Sequence, residues 1–189
     1  VALGGSAMWE LFMESEDPST NDIVATPIGG MALGETFYRT SDLILDDRAV
    51  GKERVGREIA AFIVSPMRGL TRIINGDAWR HRSTSGRQFG IPDVCIAISV
   101  GARALEFKDD IFDRGLGIAS EIAIEYGDRF NTEQEKPYDF FTMNVGLNLQ
   151  KSQPMLGQVN LVGRLWNWEL IEKSDMVLNG GIYQHFDFY

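Results

Sequence analysis

The segment MNVGLNLQKSQPMLGQVNLVGRLW, from Met143 to Trp166, alternates apolar and polar residues on both sides of a central break. Because side chains on a β-strand point to opposite faces in turn, this alternation predicts two strands, each with one apolar and one polar face. The break, Lys151 to Pro154, contains Ser and Pro, which favour turns. The segment therefore predicts an antiparallel hairpin whose apolar face contacts either a protein core or lipid.

The same period of two extends over residues 94–189 and predicts five strands. The apolar positions are Val94, Ile96, Ile98 and Val100 in the first strand, Leu116, Ile118, Ile122, Ile124 and Tyr126 in the second, Phe141, Met143, Val145, Leu147 and Leu149 in the third, and Met155, Val159, Leu161 and Leu165 in the fourth. Asp175 to Tyr189 supplies the fifth strand. Because consecutive strands follow one another closely, we expect an antiparallel up-and-down meander.

The opposite face of these strands carries small residues and amides, with isolated Arg and Glu. Its polar members are Arg103, Glu121, Glu125, Asn144, Asn148, Gln158, Asn160 and Arg164. A sheet face in water is typically richer in Lys, Glu and Thr, whereas small amides suit the polar interior of a narrow barrel. We therefore predict that these eight side chains face the lumen of a barrel.

Strand length and aromatic placement favour lipid on the apolar face. The strands run to about ten residues or more, which is the length that a tilted strand needs to cross a bilayer. Aromatic residues gather near strand ends, as in the interfacial girdles of membrane barrels; they are Phe140, Phe141, Trp166, Trp168, Phe186, Phe188 and Tyr189. The expected fold is mainly β with N-terminal helices, the meander forming part of a transmembrane β-barrel.

Residues 1–80 show a helical pattern and residues 81–93 resemble a linker. The predicted helical segments are the apolar stretch Ala2–Phe12, a helix with possible N-caps from Pro18 to Asp22 that runs through Gly34 toward Tyr38, the segment Gly51–Val64, and a helix that restarts at Ser65-Pro66 and stops at Asn75-Gly76. Arg54, Arg57, Arg68 and Arg72 form a basic face opposite an apolar one. Such an amphipathic section either lies at a membrane interface or packs on or into the barrel, and we expect the packing.

Composition argues against several classes of partner and cofactor. The net charge of -9 disfavours a nucleic-acid surface. The single cysteine excludes an internal disulfide and a cysteine-based zinc site. Asp42, Asp46 and Asp47 lack the spacing of a calcium loop, and no glycine motif for nucleotides is present. The sequence therefore predicts neither a metal nor a cofactor.

Catalysis has little support in the sequence. A serine-histidine hydrolase at the membrane rim, acting on lipid, would need His81 or His185 beside a serine and a carboxylate. Ser83 and Ser85 are too close to His81 in sequence to be informative. We therefore assign no catalytic residues, and a barrel enzyme acting on lipid stays an alternative.

Several segments together resemble a known family. They are SAMWELFMESEDPSTNDIVATPIGGMALGETFYR, SDLILDDR, SPMRGLTRIINGDAWR, KPYDFF, GQVNLVGRLW and YQHFDFY, and they span nearly the whole chain. The chain resembles an uncharacterised family of Gram-negative outer-membrane β-barrel proteins, a domain of unknown function. The resemblance implies a helical N-terminal section, then membrane strands, with further strands after the last one present here.

Five strands cannot close an antiparallel barrel, since the first and fifth strands of a meander run in the same direction. Bacterial single-chain barrels have an even number of strands, from about eight upward. We therefore expect the chain to be a fragment whose first or last strand is completed by further strands or by another chain. The expected function is an integral outer-membrane protein that serves as a channel, receptor or structural component, in contact with outer-membrane lipid. A soluble periplasmic β-sheet binding module is the remaining alternative.

Overall fold

The computed structural model describes residues 20–105, 115–131, 136–149, 154–173 and 175–189. The apolar stretch Ala2–Phe12 lies outside the described residues. The chain divides between Ile91 and Pro92 into two compact units. The first is called the helical unit and the second the sheet unit, and each has its own interior.

The described part of the helical unit contains helices α1 (Thr20–Ile44), α2 (Gly51–Val64) and α3 (Pro66–Ile74). The predicted restart at Ser65-Pro66 is confirmed, since proline with its fixed φ is tolerated at the first position of a helix. Gly76, at φ 76°, follows the last turn of α3, as the sequence predicted. Helix α1 runs six residues beyond Tyr38, to Ile44. None of the helices in the described part of the chain has the length and apolar character needed to cross a bilayer.

Most of the predicted linker, residues 81–93, belongs to the helical unit. The amide of Arg82 donates to the carbonyl of Asp47 at 3.0 Å, and the amide of Asp47 donates to the carbonyl of Ser85 at 2.9 Å. The amide of Gln88 donates to Oδ2 of Asp42 at 2.9 Å. These hydrogen bonds hold the segment after α3 against the turn between α1 and α2.

The sheet unit is the predicted antiparallel meander. Its strands are β1 (Val94–Leu105), β2 (Gly115–Tyr126), β3 (Phe141–Leu149), β4 (Leu156–Lys173) and β5 (Met176–Phe188), in the order β1-β2-β3-β4-β5. Every neighbouring pair is antiparallel. Strands β1 and β5 lie at the two edges and do not pair with each other, so the described strands form an open sheet.

The register keeps the two predicted faces apart across the sheet. One row of paired residues is wholly apolar and consists of Ile96, Ile124, Met143, Leu161 and Phe186. A row on the opposite face consists of Ser99, Glu121, Gly146 and Gln158. Because the side-chain period of a strand is two, this register places apolar residues on one face and small or polar residues on the other.

The apolar face of the sheet is buried at Tyr126, Phe141, Met143 and Leu161 and is exposed along β1. The rings of Tyr126 and Phe141 stack with centroids 4.7 Å apart, and both side chains are buried. Leu161 is 1% exposed. Ile98 lies on β1, two residues after Ile96 of the same apolar row as Leu161, and it is 70% exposed. One apolar surface therefore has a covered part and an uncovered part.

Candidate functional site

A cavity lies on the small-residue face of the sheet. Its volume is about 320 Å³, and its lining includes Ser99, Gly101, Glu121, Gly146, Asn148 and Gln158. A Cβ on Gly146 would lie 2.7 Å from Cγ of Gln158, so glycine at this position leaves the Gln158 side chain room to lie along the sheet. The cavity brings together Glu121, Asn148 and Gln158 of the predicted lumen-facing set.

Three further members of that set lie on the same face outside the cavity lining. Asn144 pairs with Asn160, whose Nδ2 donates to Oδ1 of Asp187 at 2.8 Å. Glu125 lies at the far end of β2, and its Oε1 is 3.9 Å from Nη2 of Arg129. These residues therefore share one face of the sheet with the cavity, and Glu125 has a basic neighbour from the same unit.

Arg164 has a different role from the other members of the set. Its side chain is 1% exposed. Nε donates to Oδ1 of Asp139 at 3.0 Å, while Nη1 donates to the carbonyls of Arg129 and Asn131 at 3.2 and 3.0 Å. The guanidinium thus fixes the connection between β2 and β3. The backbone of Arg103 pairs with Gly117, and its side chain lies outside the described part of the structure.

The side chains that line the cavity offer donors and acceptors for hydrogen bonds. One carboxylate, two amides and a serine hydroxyl can exchange hydrogen bonds with water or a small polar solute. Among the described residues, no group of three or more His, Cys, Asp or Glu side chains is arranged to hold a metal ion. His81 and His185 are both exposed.

In the helical unit, Arg54 points into the interior. Its guanidinium donates to the carbonyls of Ala78 at 2.7 Å, Asp77 at 2.7 Å and Arg80 at 2.9 Å. It also donates to the carbonyls of Asp47 and Ala49, at 3.1 and 3.3 Å. One buried side chain thus joins the turn before α2 to the segment after α3.

Arg68 forms a second buried ionic contact. Its Nη2 donates to Oδ1 of Asp42 in a short hydrogen bond, and its Nη1 donates to the carbonyl of Tyr38 at 2.8 Å and to Oγ of Ser41 at 3.1 Å. The other oxygen of Asp42 accepts the amide of Gln88. The pair therefore connects α3, α1 and the segment after α3.

Arg72 completes the buried cluster. Its Nη2 donates to Oδ1 of Asp47 at 2.6 Å and to Oε1 of Glu58 at 2.7 Å. Burial alone lowers the pKa of the Arg72 guanidinium, but hydrogen bonds and charges from Glu58 and Asp47 raise it above its ordinary value. Arg57, at the margin, donates to Glu53 at 2.9 Å and to the carbonyl of Ile44 at 2.9 Å.

The predicted basic face is therefore directed inward, and the apolar face is directed outward. Large apolar side chains of α2, α3 and the following turn are exposed; they are Val55, Ile59, Phe62, Ile63, Met67, Leu70, Ile73, Ile74 and Trp79. We call these nine residues the apolar helix face. A groove of about 430 Å³ runs through it, lined by Val55, Ile59, Phe62, Ile63, Ile73 and Trp79 among others. The sequence identified the basic and the apolar face of the helices but did not predict which of the two would be buried.

A separate exposed ion pair lies in the turn between α1 and α2. Nη2 of Arg48 donates to Oδ2 of Asp46 at 2.8 Å, and the Arg48 amide donates to Oδ1 at 3.0 Å. The side-chain hydrogen bond, assisted by the backbone one, holds the pKa of the Asp46 carboxyl well below its usual range. The same contact raises the pKa of Arg48.

Residues 1–67 match the family model of DUF3943, a domain of unknown function. The matched part contains α1, α2 and the first residues of α3. No curated protein and no solved structure matches the chain. The comparisons thus support the resemblance to a domain of unknown function over the helical section, whereas the resemblance drawn from the sequence extended over nearly the whole chain.

Proposed function

We propose that the sheet unit is part of an outer-membrane β-barrel that serves as a channel, receptor or structural component. The observation that carries this proposal is the separation of the two sheet faces. Rows such as Ile96-Ile124-Met143-Leu161-Phe186 occupy one face, and rows such as Ser99-Glu121-Gly146-Gln158 occupy the other. An apolar outer band and a polar interior are the requirements of a barrel in lipid.

Strand dimensions support the same proposal. Strand β1 has 12 residues. At about 3.3 Å per residue and a tilt of about 45°, a strand of this length rises about 28 Å along the membrane normal, close to the roughly 30 Å of a bilayer core. On β1 the side chains of Ile96, Ile98 and Val100 are all more than half exposed, which is unfavourable in water and favourable in lipid.

The two edges of the sheet support a larger assembly. Strands β1 and β5 each pair with one neighbour among the described strands. An unpaired edge in lipid leaves backbone groups without hydrogen bonds, at several kcal/mol per group. We therefore propose that further strands or another chain pair with these edges in the membrane.

One observation favours a second candidate, the soluble periplasmic binding module. Met143 and Leu161 lie on the apolar face and are 4% and 1% exposed. Such burial is typical of a sheet whose face is covered by protein. In that case the cavity beside Glu121 would be a binding site in water, and the chain would stay monodisperse without detergent.

Two neighbouring substitutions on β1 test the barrel. Ile98→Lys puts a charge on the apolar face, and a lysine on the lipid face of a barrel costs about 2–4 kcal/mol near the bilayer midplane. Ser99→Lys, one residue along, puts the same charge on the polar face directly opposite Glu121. We expect Ile98→Lys to reduce the membrane-assembled fraction at least tenfold, while Ser99→Lys leaves it nearly unchanged, measured by protease protection after vesicle flotation. Equal assembly of both variants would contradict the barrel and favour the soluble module.

A further inference from the structure

We propose that the apolar helix face is a docking surface for an anionic phospholipid bilayer. The face combines nine exposed large apolar side chains with a rim of basic side chains, and its reverse side is closed by a buried ionic cluster. This proposal concerns the helical unit alone and stands whether or not the sheet unit forms a barrel.

The first argument is the size of the apolar surface. Ile63, Met67, Ile74 and Trp79 are 72%, 75%, 74% and 73% exposed. Single exposed apolar residues are normal, but contiguous apolar patches larger than a few hundred Å² mark interaction sites. The groove joins six of the nine residues, from α2, α3 and the turn after α3, into one surface.

The second argument is that this surface cannot turn inward. The interior positions of α2 and α3 are occupied by Arg54, Arg68 and Arg72, each held by carbonyls or carboxylates of the same unit. Removing one partner of such a buried pair leaves an uncompensated charge, which is strongly destabilising. The ionic interior therefore fixes the outward direction of Ile59, Ile63 and their neighbours.

The third argument is charge complementarity, which selects the occupant. Between Gly51 and Arg82 the exposed charged side chains are three basic ones, Lys52, Arg80 and Arg82, and one acidic one, Glu53, in a protein of net charge -9. Lys52 is exposed and lies seven residues before Ile59, so both are on the same side of α2. The Arg80 side chain is 62% exposed and follows Trp79 directly. Basic side chains beside a buried apolar face attract anionic lipid headgroups.

The same charges disfavour a second copy of the chain as the occupant. A two-fold dimer through this face would pair each patch with itself. Two basic rims, each containing Lys52 and Arg80, would then be brought together, and like charges across an interface are repulsive. An anionic bilayer satisfies both the apolar centre and the basic rim, with Trp79 at the depth that tryptophan prefers.

The test compares binding of the full chain to vesicles of phosphatidylglycerol and phosphatidylcholine with binding to vesicles of phosphatidylcholine alone. The ratio of the two is the readout, because insertion of the sheet unit into lipid would contribute to both. The double variant Ile63→Glu/Met67→Glu removes two exposed apolar side chains from the face. We expect it to weaken binding to the anionic vesicles at least tenfold, since two apolar side chains no longer enter the bilayer. The matched control Val50→Glu also replaces an exposed apolar residue, one that is not part of the apolar helix face, and should stay within about twofold.

A second variant keeps the test valid if the first folds poorly, as far-UV circular dichroism would show. Lys52→Glu/Arg80→Glu changes only exposed charges, and should weaken anionic binding about fivefold or more per residue while leaving binding to neutral vesicles unchanged. Binding that is insensitive to both variants, or equal to neutral and anionic vesicles, overturns the proposal. Self-association without vesicles that Ile63→Glu/Met67→Glu abolishes also overturns it and assigns the face to a second copy.

Discussion

The helical unit and the sheet unit distribute charge and apolar surface in opposite ways. In the helical unit, Arg54 and Arg68 are buried, and large apolar side chains of α2 and α3 point outward. In the sheet unit, Tyr126, Phe141 and Leu161 are buried and Glu121 is exposed, and the one buried guanidinium described there is that of Arg164, at the connection between β2 and β3. One chain thus contains an ionic interior and an apolar interior.

The comparison teaches that amphipathicity identifies faces without giving their direction. A buried charge is tolerated only where every donor has an acceptor. Arg54 meets this condition through main-chain carbonyls of Asp77, Ala78 and Arg80, which lie more than twenty residues later in the sequence. Every residue has a main-chain carbonyl. The types of residues in the sequence therefore cannot predict which carbonyls will accept hydrogen bonds from one guanidinium.

The largest expected effect comes from removing that guanidinium. Arg54→Met keeps much of the side-chain volume but removes the guanidinium that donates to five carbonyls, of which only those of Asp47 and Asp77 keep another donor among the described residues. We expect the free energy of unfolding of the helical unit to fall by about 3–5 kcal/mol, measured by hydrogen exchange of α2 and α3. Arg57→Met, at a half-exposed position, should cost about 1 kcal/mol or less. If Arg54→Met leaves the free energy of unfolding unchanged, apolar packing and not the buried guanidinium stabilises the helices. The contrast between an ionic and an apolar interior would then be wrong.

A medium effect is expected where α2 and α3 approach each other. A Cβ on Gly69 would lie 2.9 Å from the backbone Cα of Phe62 and even closer to its ring. Gly69→Ala should therefore destabilise the helical unit by about 1–3 kcal/mol in chemical unfolding. Gly56→Ala, on α2, has no atom within 4 Å of the new Cβ and should instead stabilise the helix by about 0.5–1 kcal/mol. Destabilisation by both variants would show that the close approach is not the cause.

The sequence predicted more of the sheet unit than of the helical unit. The alternation of apolar and polar residues alone located all five strands. This was possible because the alternation within a strand depends on neighbouring residues and not on how the rest of the chain folds. Helix ends at Ser65-Pro66 and at Gly76 were also predictable, since proline and glycine act on the backbone itself. Alternation also placed Arg164 on the polar face, but its burial depends on loop carbonyls more than thirty residues away.

The smallest expected effect concerns an exposed charge, in contrast to the buried ones. The pKa of Asp46 is lowered in the folded protein, so its contribution to stability is fully present above the unfolded pKa of about 3.9 and is lost as the pH falls toward the folded value. Asp46→Asn should be slightly less stable than the wild type at neutral pH, and the difference in thermal unfolding should shrink below about pH 4. A difference that is constant down to pH 2 would contradict the Arg48 hydrogen bond as its cause.

Cysteine scanning along β1 tests the central claim, that one face of this sheet meets lipid and the other a polar interior. Single cysteines at positions 96, 97, 98, 99 and 100, in a Cys95→Ser background, are assembled in membranes and treated with a water-soluble maleimide. Residues 94–100 are exposed on both faces of the strand, so a sheet in water would be labelled at all five positions. In a barrel, positions 97 and 99 should be labelled while lipid protects positions 96, 98 and 100. Equal labelling at all five positions would contradict the account.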